Sequence, residues 1–188
     1  MRKGCLIVIS GPSGAGKGTL VKELLARSPR LKLSISATTR PPRVGEVDGR
    51  EYFFLREEEF DAYLARDAFL EWAEVYGHRY GTFVDQVNAG LEAGDDIVLE
   101  IDVQGARSIR EKMPQAEMVF IYTSSLEDLE KRLRERRTES EAQLRRRLKK
   151  AAWEMEQGWD LFGHHILNDD LDKAIADLHA VYEVISSP

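Results

Sequence analysis

The stretch Cys5-Leu6-Ile7-Val8-Ile9-Ser10-Gly11-Pro12-Ser13-Gly14-Ala15-Gly16-Lys17-Gly18-Thr19 decides how this chain is read. Its first part, Cys5 to Ser10, is apolar without polar alternation, which suits a strand buried on both faces. After it, Leu20, Val21, Leu24 and Leu25 share one face of a helix beginning near Gly16. Between strand and helix lies the spacing of a phosphate-binding loop. Glycines let the backbone curl until several N–H groups converge on one anion, and the helix N-terminus adds its dipole. Lys17 brings a full positive charge for β- and γ-phosphates. Gly11, Pro12, Ser13, Gly14, Ala15, Gly16, Lys17, Gly18 and Thr19 are therefore the candidate nucleotide-phosphate contacts. The usual loop places Ser or Thr directly after the lysine to ligate Mg²⁺, whereas Gly18 stands there and Thr19 is one position further. Mg²⁺ is thus expected to be held largely by a nucleotide, water and an outlying carboxylate.

Outward from this loop, further apolar runs at Asp96 to Ile101, Met118 to Tyr122 and His165 to Leu167 alternate with helical patterns. The helices span roughly Val103 to Lys112, Ser125 to about Arg136 with Asp128 completing a capping box, and Leu171 to Ile185. Such alternation predicts an α/β fold, a parallel sheet covered by helices on both sides. Residues 37–93 break the rhythm. Arg40-Pro41-Pro42-Arg43 and Asp48-Gly49 are turn chemistry, followed by a strand at Glu51 to Leu55 and a helix at Glu57 to Leu64. A strand at Phe69 to Tyr76 and a turn at Gly77-His78 complete a small mixed insertion.

The 188 residues suit one domain, and 43% hydrophobic with 32% charged residues is a globular balance rather than a disordered one. A net charge of −6 disfavours a general nucleic-acid binder. A single cysteine, Cys5, allows no internal disulfide, and four histidines without cysteine partners do not suggest a structural zinc site. The apolar run after Met1-Arg2-Lys3 is cut short by Gly11-Pro12-Ser13-Gly14, and no stretch approaches the ~18 apolar residues of a membrane span. The expectation is a cytoplasmic protein with neither a membrane nor a nucleic-acid partner; its oligomeric state is not legible.

Several side chains then stand out. The apolar run Ile97-Val98-Leu99-Glu100-Ile101-Asp102 ends in acids, and the C-terminal ends of parallel strands line the ligand crevice. Asp102 is placed to face Mg²⁺ or a substrate, or to cap the following helix, and both roles are compatible. Arg40 and Arg43 lie three apart in a proline-stiffened loop, where planar guanidinium forks suit phosphate; a solvated basic loop is the alternative. Strand alternation puts Glu71 on the same face as Phe69, Ala73 and Val75. An acid among apolar neighbours needs a partner, either a ligand's N–H donors or an internal arginine.

Taken together, Gly11 to Thr19, Ser36-Ala37-Thr38-Thr39-Arg40-Pro41-Pro42-Arg43 with Gly45-Glu46, Phe69-Leu70-Glu71-Trp72-Ala73, Tyr80-Gly81-Thr82, Glu100-Ile101-Asp102-Val103-Gln104-Gly105 and Asn168-Asp169-Asp170 resemble the guanylate kinases. The resemblance covers nearly the whole chain. It implies a P-loop kinase core with a five-stranded parallel sheet (1–36 and 94–188), a mixed GMP-binding insertion at about 37–93 and a helical lid at about 134–150. It also implies ATP and GMP, and dGMP besides, as substrates with Mg²⁺. By this resemblance Arg40, Arg43, Tyr52 and Tyr80 hold the GMP phosphate, and Glu71 accepts from guanine. Ser36, Thr82, Glu100 and Asp102 complete the acceptor site, while Lys17, Arg136 and Arg147 neutralise the transferring phosphoryl group. Asn168 sits near adenine, with capping of the next helix as the alternative.

Most of the arginine-rich stretch, with Arg132, Arg134, Arg136, Arg137 and Arg145-Arg146-Arg147, reads as a solvated helix surface. With Leu144, Leu148, Ala151 and Met155 as the apolar stripe, Arg146 projects opposite it, and Arg145 and Arg147 flank it. The family usually has glycine after its first lid arginine, where this chain has Arg137. Two other readings stay open: a peptide-binding module of the same fold, whose members typically lose the phosphate loop, and a kinase for another small phosphate acceptor.

Overall fold

A computed structural model describes residues 3–135 and 141–187. The apolar run forms β1 (Leu6–Ser10), every residue of which is buried. It lies at the centre of a five-stranded sheet, between β7 (Asp96–Glu100) and β8 (Glu117–Tyr122), with β2 (Leu31–Leu33) and β9 (His164–Leu167) at the edges. All four pairings are parallel. Successive side chains leave a strand on opposite faces. Accordingly Ile7, Ile9, Val98 and Ile121 pack under α1 (Lys17–Arg27) and α7 (Leu171–Ser186), meeting Leu20, Leu24, Leu178 and Tyr182. Leu6, Val8, Leu99, Met118 and Phe120 pack on the other side with Val87 and Leu91 of α3 (Val84–Ala93) and Ile109 of α4 (Val103–Lys112). Two apolar faces explain the lack of alternation in the sequence. The hydroxyl of Tyr182 donates to buried Asp96 at 3.0 Å and ties α7 to the central sheet.

The insertion carries β3 (Ala37–Thr38), β4 (Phe53–Phe54), α2 (Glu57–Leu64), β5 (Phe69–Val75) and β6 (His78–Phe83), its strands ordered β4-β3-β6-β5. Its own small core is aromatic: Phe60 stacks on Phe69 at 4.5 Å between ring centroids, and Phe83 packs against Phe69 at 5.1 Å. Two readings of this region need correction. The β5–β6 register shifts between Phe69 and Glu71, so Phe69 lies opposite Phe83 and Glu71 opposite Thr82. A bulge at Leu70 therefore sends Phe69 into the aromatic core and Glu71 to the other face, rather than both to one. The turn is Tyr76-Gly77, both at positive φ, not Gly77-His78.

The helix expected from Ser125 is α5 (Leu126–Glu135), and the Asp128 backbone N–H donates to Ser125 Oγ at 3.1 Å. Arg136 and Arg137 lie outside the described residues. The second arginine-rich helix is α6 (Glu141–Gly158). Among the described residues no helix is long and apolar enough to cross a membrane.

Candidate active site

The C-terminal ends of β1 and β7 open into a cleft of about 1210 Å³, roofed by the insertion on one side and α6 on the other. At its floor the loop after β1 turns through Gly11, Gly14 and Gly16, at φ of 147°, 94° and 89°. These angles favour glycine, and a side chain at Gly11 would strike the Ile121 carbonyl. Helix α1 starts immediately afterwards, with no acid in its first turn and no side-chain cap. Its first N–H groups and positive end are thus left to an anion. Lys17 Nζ is folded back on the loop, donating to Gly11 O at 2.6 Å and Pro12 O at 3.2 Å.

Three carboxylates surround this ammonium. Burial lowers the Lys17 pKa, while Glu100, Glu154 and Asp102 pull it back up. Glu100 is exposed towards the cleft, yet the surrounding walls desolvate it and raise its pKa against the pull of Lys17. Asp102 takes the capping role expected of it and also lines the cleft. Oδ1 caps α4, accepting from Gly105 N at 2.9 Å, and Oδ2 accepts from Lys150 Nζ at 2.9 Å. Lys150 also lies 3.7 Å from Glu154 Oε1, and Glu154 is only 3% exposed. Desolvation raises the Glu154 pKa, and its Oε2 has no hydrogen-bond partner among the described residues.

At the far end Glu71 is 4% exposed. Thr82 Oγ1 donates to its Oε1 at 2.6 Å, and among the described residues no internal arginine is paired with it. Burial raises the Glu71 pKa to about 7, with Asp102 adding to the rise and Thr82 and Lys112 opposing it. Gly105 makes room for this carboxyl: a Cβ there would collide with Glu71 Oε2. Between the two ends stand Arg40, Arg43, Tyr52 and Tyr80. Arg40 grips Glu46 with both terminal nitrogens, at 3.0 and 2.9 Å, and lies 5.4 Å over the Tyr52 ring. Glu46 also accepts from Arg43 N at 2.7 Å, so one acid fixes the whole arginine loop. Arg40 Nε is buried without a partner among the described residues. Burial pushes the Tyr52 hydroxyl up to about 12, leaving it a donor throughout the neutral range.

The cleft thus gathers Gly11, Ser13, Lys17, Ser36, Arg40, Arg43, Tyr52, Glu71, Tyr80, Glu100, Asp102 and Arg147. Thr82 is buried behind Glu71, and Gly18 and Thr19 are exposed at the start of α1. Asn168 does not line the cleft. It is buried against the phosphate loop, donating from Nδ2 to Ala15 O at 2.7 Å, while Asp170 caps α7 through Lys173 N at 2.9 Å. The capping alternative for Asn168 therefore does not hold.

On α6, Gln143, Arg146, Arg147, Lys150 and Glu154 line the cleft from one helical face. Arg146 faces the cleft and Arg145 does not, the reverse of the helical projection. Leu148 and Met155 are only half-buried, and the buried stripe runs through Leu144, Ala151, Glu154 and Gly158. Lys150 and Glu154 were missed, although an acid at an apolar-stripe spacing after Ala151 was a readable signal.

The match to known proteins extends along the chain. The family model described as Guanylate kinase matches residues 3–184. A guanylate kinase of Caldanaerobacter subterraneus subsp. tengcongensis is 51% identical, over 96% of this chain and 87% of its own length. One from Synechocystis sp. is 48% identical over 97% of this chain and 94% of its own. A crystal structure of guanylate kinase from Anaplasma phagocytophilum superposes with a TM-score of 0.82 at 29% identity, covering 100% of this chain and 88% of that one.

Proposed function

The chain belongs to the guanylate kinase family and phosphorylates GMP to GDP with ATP, and we propose how its residues divide that work. The observation that carries the assignment is the buried Glu71–Thr82 pair in the same cleft as Lys17. Guanine presents N1–H and N2–H donors beside an O6 acceptor. An ionised Glu71 accepts from the paired donors, with Thr82 holding the carboxylate and Ser36 and Asp102 close to the base. Adenine, lacking that donor pair, would leave these polar groups mispaired.

Arg40, Arg43, Tyr52 and Tyr80 take the acceptor phosphate, the arginines through their guanidinium forks and the tyrosines through neutral hydroxyls. Lys17 swings from the loop carbonyls to the donor phosphates, which also receive the N–H groups of the glycine loop and α1. Asn168 acts through the loop it holds, at the adenine end. The acceptor is already an anionic oxygen, the second pKa of a phosphate monoester being about 6, so in-line transfer needs no general base. Alignment and charge neutralisation by Lys17, Arg136 and Arg147 lower the barrier. The donor nucleotide belongs to the core (1–36 and 94–188), GMP to the insertion (about 37–93) and the closing arginines to the lid (about 134–150).

A magnesium ion would add charge neutralisation on the donor phosphates. Hard oxygen donors suited to it, Glu100 and Asp102, open beside Lys17. Among the described residues no cluster of three or more acids, histidines or cysteines is arranged to hold a metal ion. The ion would therefore ride mainly on the nucleotide, as Gly18 in the place of Ser or Thr suggests. ATP and GMP as substrates suit a cytoplasmic setting.

A substrate panel tests this reading. ADP formation from ATP and Mg²⁺ is expected with GMP and dGMP, and not with AMP, CMP, UMP or without acceptor. Comparable turnover of AMP would remove Glu71 and Thr82 from the base pocket while leaving the phosphate loop in place.

A further inference from the structure

We propose that Tyr76 is a positioning residue for phosphoryl transfer, its ring clasping Arg147 and Lys150 so that the placement of Arg147 depends on the tip of the GMP-binding insertion. The ring lies 5.6 Å from the Arg147 guanidinium carbon and 5.4 Å from Lys150 Nζ, across the cleft mouth between the β5–β6 hairpin and α6. The two cations sit three apart on one helical face and repel each other. One aromatic ring attracts both, and this holds the pair on the cleft side of α6. Lys150 is anchored further by Asp102 Oδ2 and Glu154 Oε1, so the clasp is fixed at one end and presents Arg147 at the other.

The backbone carries an independent sign. Tyr76 and Gly77 form a two-residue hairpin loop, with Val75 opposite His78 and φ of 55° and 80°. The first central position of such a turn favours Asn, Asp or Gly, and a bulky aromatic there is a genuine outlier. Tyr76 is 46% exposed, so core burial does not account for it. Strained residues of this kind persist where the side chain is needed.

The inference rests on the reading of Arg147 as a cation for the transferring phosphoryl group, and the test separates the two. Tyr76→Asn removes the ring while suiting the turn, so it does not threaten folding; Tyr76→Phe keeps the ring. For each, and for Arg147→Met with and without Tyr76→Asn, kcat is read from ADP formation, and GMP and ATP dissociation constants from calorimetry. Tyr76→Asn is expected to lower kcat about five- to tenfold, the worth of one or two cation–π contacts, with both dissociation constants within about twofold of wild type. Tyr76→Phe should restore kcat, and Tyr76→Asn should cost nothing further in the Arg147→Met background. Wild-type kcat in Tyr76→Asn, equal loss in Tyr76→Phe, or full additivity with a slow Arg147→Met would each overturn the clasp alone. Wild-type kcat in Arg147→Met would overturn the reading of Arg147, and the clasp with it.

Discussion

In the proposed division of work two side chains, Lys17 and Glu71, set the chemistry of the cleft. Lys17 is parked on the carbonyls of Gly11 and Pro12, with burial lowering its pKa and neighbouring acids opposing the shift. Lys17→Ala is expected to reduce kcat by about 100-fold or more, the scale of one lost transition-state charge contact, while GMP still binds within about twofold in calorimetry. Glu71 is buried with a pKa near 7 against an ordinary 4.5. Its folded pKa lies above the unfolded one, so the folded protein holds the extra proton, and stability falls as pH rises from about 4.5 through about 7. The loss is on the order of 3 kcal/mol once both states are ionised. Urea unfolding of Glu71→Gln should therefore show a variant more stable than wild type at pH 8 and close to it at pH 4. Identical pH profiles for the two proteins would mean that Glu71 is not desolvated in the folded state.

At the scale of elements, small residues and irregularities decide where those side chains point. The bulge at Leu70 turns Glu71 away from Phe69 and into the cleft, and Gly105 in the first turn of α4 leaves the space that its carboxyl fills. Gly105→Ala is expected to raise the GMP KM by about tenfold and leave the ATP KM unchanged, because the new Cβ meets Glu71 Oε2. Overpacking of this kind also costs about 1–3 kcal/mol, readable in the same urea titration. An unchanged GMP KM would show that Glu71 has room to move. These details also mark what could be read in advance. The β1–loop–α1 unit was legible because apolar run, glycines and lysine lie together in sequence. The bulge was not, since strict alternation is the default for a strand and the extra residue is visible only through its partner strand. Likewise β2 is three residues long, and its pairing with β7 is non-local. The cleft face of α6 was misread by the width of one residue, because Glu154 occupies a place in the buried stripe.

For the whole molecule, the parallel sheet sets the glycine loop at the C-terminal edge of its central strand, and the insertion lines the same opening from across the cleft. Glu100 and Asp102 at the sheet edge and Glu154 on α6 meet Lys17 and Lys150, so the glycine loop, the end of β7 and α6 share one electrostatic cluster. The central claim is that this shared cleft reads guanine through Glu71 at one end while Lys17 handles phosphate at the other. The most direct test is kcat/KM for GMP and for AMP, with ATP as donor, in wild type and in Glu71→Gln. The expected result is a GMP value reduced by about 100-fold or more, an unchanged KM for ATP, and a GMP-to-AMP preference that collapses accordingly. A preference that survives the substitution intact would place base recognition elsewhere and contradict the account.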